Sequence, residues 1–68
     1  MELSARNQLD ATVKDVKLGT IMAEVTVDVG GQDVVAAITR GSAERLGLSQ
    51  GDAVTVIVKA TEVMLAKE

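Results

Sequence analysis

The chain has no cysteine, no histidine, no proline and no aromatic residue. Each absence closes off an option. Disulfides are impossible, and a structural zinc lacks its usual sulfur and imidazole ligands. The common nucleophile–base pairs of covalent catalysis cannot be assembled. Single-stranded nucleic acid loses its stacking platforms. Positive charge is also in the minority: seven Lys and Arg stand against ten Asp and Glu, a net charge of −3. Phosphate backbones are bound by clustered Lys and Arg, so a nucleic-acid partner is not expected. No apolar run approaches the ~20 residues of a membrane span. The start, Met1-Glu2-Leu3-Ser4, lacks the basic and apolar regions of a signal peptide. These exclusions leave a cytoplasmic protein that is not an enzyme and contacts neither nucleic acid nor membrane.

What remains is a 68-residue chain, 47% apolar, built on Val, Ala, Leu, Ile and Met. Its length allows one domain, residues 1–68. A chain this short buries only about 60% of the surface its unfolded form exposes. Without disulfide or zinc, self-association is the expected supplement, and small β-branched side chains suit close subunit contacts.

The hydrophobic period is mostly two, the mark of strands. Residues 9–16 put Leu9, Ala11 and Val13 on one face, and Lys17–Thr20 reads as a turn. Residues 21–29 put Ile21, Ala23, Val25, Val27 and Val29 together. Gly30-Gly31 is a hairpin signal, with positive φ available at both positions. A third strand, residues 32–39, places Val34, Ala36 and Ile38 on one face. The period then breaks. Residues 41–48 read as a short helix, with Gly41 or Ser42 as its cap, Gly47 as its left-handed end, and Leu46 and Leu48 pinning it to the sheet. Residues 53–59 resume as a fourth strand, and residues 61–66, with Val63 and Leu65 on one face, as a fifth. Three strands, a short helix and two strands give an all-β fold: a five-stranded OB-like Greek-key barrel with one helix between strands 3 and 4.

The carboxylates are dispersed. Asp28 and Asp33 face each other across the Gly30-Gly31 turn, but two are too few for a calcium loop. The polar segment Ser4-Ala5-Arg6-Asn7-Gln8 is different. It offers a hydroxyl, a guanidinium fork and two amides just before the first strand, and arginine suits planar recognition of oxyanions. A second donor group, Lys59-Ala60-Thr61, lies at the junction of the last two strands. If the fold or an oligomer joins the two, the nest fits a small tetrahedral dianion. Pairing of Arg6 and Lys59 with Glu62 or Asp10 is the competing reading.

The stretches LSARNQLDATV, AEVTVDVGG and AAITRGSAERLGLSQGDAVTVIVKATEVML, in this order and spacing, resemble the molbindins. These are small cytoplasmic molybdate-binding proteins made of a single Mop-type domain. The resemblance runs from about Leu3 to Leu65. It implies an OB-like fold and a homo-hexamer, a trimer of dimers, holding molybdate or tungstate at subunit interfaces for storage or homeostasis. The implied main site is Ser4, Ala5, Arg6 and Asn7 of one subunit with Lys59, Ala60 and Thr61 of another. Relatives carry Ser where this chain has Ala60, so a hydroxyl contact passes to Thr61 or to the Ala60 N–H. A second implied site class lies near the threefold axis, with the Gly19-Thr20 turn as its candidate. The alternative is a structural or regulatory interaction module whose anion binding is incidental.

Overall fold

The computed structural model describes residues 2–68; Met1, the first residue of the expected domain, lies outside them. Four strands form: β1 (Asn7–Leu18), β2 (Met22–Val29), β3 (Gln32–Thr39) and β4 (Ala53–Val58). One helix, α1 (Arg40–Leu46), follows β3, and a 3-10 turn, Ala60–Glu62, follows β4. The sheet is antiparallel, in the order β3-β2-β1-β4.

Long β1 serves both halves of the sheet. Its first half, Asn7–Thr12, pairs with β4, and its second half, Thr12–Leu18, pairs with β2. Thr12 is the changeover and has Asp28 on one side and Ala53 on the other. The register slips here: Val13 faces Val27, and Asp15 faces Thr26. Lys14 is therefore the extra residue of a β-bulge, which kinks the strand and adds twist. The bulge turns Val16 to the same face as Val13, three positions away, against strict alternation. It also frees Lys14 to pair with Asp33 on β3 at 2.8 Å. That bond holds the Lys14 ammonium above its ordinary value.

The β2–β3 hairpin follows the sequence reading. Gly30 (φ +58°) and Gly31 (φ +90°) form a two-residue turn between the pair Val29 and Gln32. Asp28 Oδ1 accepts from the Gly31 N–H at 3.0 Å. The end of α1 also follows it. Gly47 is left-handed, and its N–H and that of Leu48 return to the carbonyls of Glu44 and Ala43, a Schellman pair.

Several expectations are corrected. The helix cap is Thr39, whose hydroxyl accepts from the Ser42 N–H at 3.1 Å, and not Gly41 or Ser42. One turn earlier in the chain, β3 ends extended and supplies the β-region backbone that an N-cap requires. Leu46 does not pin the helix; it is exposed, and Ala43 is buried against the sheet while Leu48 packs on the core edge. Ile21 sits in the turn after β1 and is exposed.

The largest correction concerns closure. The chain forms four strands in an open sheet, not five in a barrel. After β4 the 3-10 turn ends on Val63, and residues 63–68 pair with no strand of their own chain. Met64 is 92% and Leu65 95% exposed. The core is correspondingly thin: Ala11, Val13, Ala23, Val25, Val27 and Ala43 are its buried members. Between the free edges of β3 and β4 an apolar cleft of about 230 Å³ stays open, floored by Val13, Val25 and Val27. The radius of gyration is 12.7 Å, where a compact chain of this length has about 11 Å. No helix among the described residues is long and apolar enough to cross a membrane.

Candidate functional site

The pairing of β1 with β4 decides where the two donor segments lie. Asn7 opposes Val58 as the last pair of that ladder. The residues just before Asn7 and just after Val58 must therefore leave the sheet side by side. They do so around one cavity of about 300 Å³, lined by Ser4, Ala5, Arg6, Lys59, Ala60 and Thr61. Six of the seven residues expected at the main site thus meet, and they meet within one chain. Division between subunits is not needed to join them.

Local backbone shapes both walls. Arg6 lies in the bend that leads into β1. On the other side Lys59 is extended (φ −63°, ψ +131°) and caps the 3-10 turn, and its carbonyl accepts from the Glu62 N–H at 2.9 Å. Ala60 and Thr61 thereby fold over beside Lys59 instead of continuing β4.

The charges are available. Among the described residues the ion pairs are Lys14 with Asp33 and Arg40 with Glu44. Arg6 and Lys59 join neither, so the competing pairing with Asp10 or Glu62 is absent. Two unshared cations and the Ser4 and Thr61 hydroxyls line one cavity of a net acidic chain. Such a set offers hydrogen-bond donors to an anion. Ala60 supplies only a methyl group and its backbone.

Asn7 does not line the cavity. Its side-chain N–H donates to the Val58 carbonyl at 3.2 Å. Gln8, part of the donor segment but outside the site that the resemblance implies, donates to the Ala5 carbonyl at 2.9 Å. The Gly19-Thr20 turn lies at the far end of β1. Gly19 is already engaged there: its N–H bonds the Met22 carbonyl at 2.7 Å, and its own carbonyl accepts from Arg40 at 3.2 Å. A Cβ at Gly19 would meet the Met22 carbonyl oxygen at 2.8 Å, so close backbone packing accounts for this glycine. Among the described residues no group of three or more potential metal-ligating side chains exists.

Comparison with known proteins agrees with this fold. The TOBE domain family matches residues 3–65. Molybdenum-pterin-binding protein 1 of Clostridium pasteurianum is 41% identical over 66 residues, 96% of this chain and 97% of that protein. The structure of a molybdate-binding protein from Sporomusa ovata superposes with a TM-score of 0.94 at 49% identity, covering 98% of this chain and all of that one. MopII from C. pasteurianum, in an apo structure, superposes with a TM-score of 0.90 at 39% identity, covering 97% and 100%. The chain belongs to the TOBE-domain family, among the small molybdenum-pterin-binding (Mop) proteins, which are binding proteins and not enzymes.

Proposed function

We propose that this chain binds molybdate, and tungstate equally, as a cytoplasmic store that buffers the supply of molybdenum. The observation that carries the reading is the convergence of two unshared cations, Arg6 and Lys59, on one cavity with Ser4 and Thr61. A dianion there gains charge-assisted hydrogen bonds, each contributing roughly 1.5–3 kcal/mol. A few of them on a preorganised site reach micromolar affinity after the entropic costs. Phosphate carries a proton at neutral pH that a donor-only site cannot accept. Sulfate is a dianion with shorter bonds and leaves the donors out of reach. Molybdate and tungstate share charge and size, so the site does not separate them.

The anion-holding form is an assembly. The free edges of β3 and β4 flank an apolar cleft, while Val63, Met64 and Leu65 stand exposed and unpaired. After the 3-10 turn, residues 63–68 pair with no strand of their own chain. A second copy's tail supplies the missing strand, and the exchange is reciprocal, as twofold symmetry demands. Three such dimers make the hexamer that the family resemblance implies, and the Gly19-Thr20 turn remains the candidate for the second site class.

Isothermal titration with molybdate, tungstate, sulfate and phosphate tests the reading. Molybdate and tungstate bind alike, and the other two far more weakly. Arg6→Ala loses affinity by about tenfold or more, while the melting temperature of the anion-free protein hardly moves. Absence of molybdate uptake by the wild type would sink the proposal.

A further inference from the structure

Asn7 and Gln8 close the donor segment, yet both spend their side-chain amides on backbone carbonyls next to the site's two cations. Asn7 Nδ2 donates to the Val58 oxygen at 3.2 Å, and Gln8 Nε2 to the Ala5 oxygen at 2.9 Å. These two carbonyls have one thing in common. Each belongs to the peptide unit that leads directly into a cationic residue: Val58 into Lys59, and Ala5 into Arg6.

A peptide unit is planar and trans. Fixing its carbonyl oxygen therefore fixes the direction of the next residue's N–H and the Cα from which the next side chain springs. Gln8 in this way sets the root of Arg6, and Asn7 sets the root of Lys59. The two tethers have a second effect. A carbonyl oxygen repels an anion, and one already engaged by an amide donor is held away from other directions. Neither amide lines the cavity itself.

We infer that Asn7 and Gln8 are positioning residues of the oxyanion site: without touching the anion, they hold the two peptide planes that present Lys59 and Arg6. The inference rests on the reading of the cavity as a molybdate site. It moves Asn7 out of the group of expected anion contacts and gives Gln8 a role.

The test uses Gln8→Met and Asn7→Leu, which remove the donors without changing charge. Molybdate affinity is measured by titration at two ionic strengths, beside the melting temperature of the anion-free protein. Expected is a loss of about three- to tenfold in affinity for each. The dependence on ionic strength stays that of the wild type, because the site's charges are intact; Arg6→Ala flattens it. In Gln8→Met the melting temperature stays at the wild-type value, which separates positioning from a general structural role. Gln8 is exposed, so this variant carries the test if Asn7→Leu, at a half-buried position, fails to fold. Wild-type affinity in Gln8→Met overturns the inference and leaves the molybdate reading standing. A flattened ionic-strength dependence also overturns it, since the residue then contributes to the field at the anion. If the wild type itself takes no molybdate, both readings fall together.

Discussion

Among the described residues five of the seven Lys and Arg side chains join no ion pair, and Arg6 and Lys59 are the two of them that line one cavity. The two cations that do pair are Lys14, with Asp33, and Arg40, with Glu44. Ala60 is the weak point of the cavity that Arg6 and Lys59 line. Ala60→Ser adds a hydroxyl beside Lys59 and should tighten molybdate binding by about two- to tenfold, the range of one added hydrogen bond. Unchanged affinity on titration would place the anion away from residue 60. At this scale the sequence was informative in part. Ser4, Arg6, Lys59 and Thr61 announce themselves as donors. Asn7 and Gln8 do too, but residue type does not say whether an amide faces a ligand or a carbonyl of its own chain. Only the backbone's path through 5 and 58 decides that.

Among the elements, strand periodicity and glycine placement carried most of the information. The β2–β3 hairpin needs both glycines at positive φ and has them. The helix start was less legible. Gly41, Ser42 and Thr39 all tolerate a cap position, and what selects Thr39 is that β3 ends on it in extended geometry (φ −69°, ψ +148°). Thr39→Ala should therefore cost about 0.5–2 kcal/mol, a fall in melting temperature of about 4–8 °C per kcal/mol for a domain of this size. Ser42→Ala should cost less, since its hydroxyl serves Thr39 and Arg45 only at the surface. Equal losses in thermal denaturation would put the cap in the wrong place. The bulge at Lys14 was hidden for a different reason. Val13 and Val16 break the alternation, and a broken pattern reads equally as a strand end or as an inserted residue.

For the whole molecule, strand count was the misreading. Residues 61–66 carry a strand's pattern, but alternation says nothing about which chain offers the edge to pair with. In the proposed assembly the open cleft between β3 and β4 and the exposed tail meet across a boundary between copies. Removing residues 63–68 should therefore reduce the assembly to smaller species in sedimentation and lower its melting temperature. A truncated chain that keeps the wild-type mass in solution would refute tail exchange. Anion at 100 times its dissociation constant should stabilise the intact protein by about 2.7 kcal/mol per independent site, visible in calorimetry as a rise in melting temperature.

The cavity sits where the β1–β4 ladder stops, beyond the pair Asn7 and Val58. Strands fray from such ends. On the proposed reading, a guest gripped there by Arg6 on one side and Lys59 on the other acts as a clasp on the seam, so that filling the protein and fastening that margin become a single event.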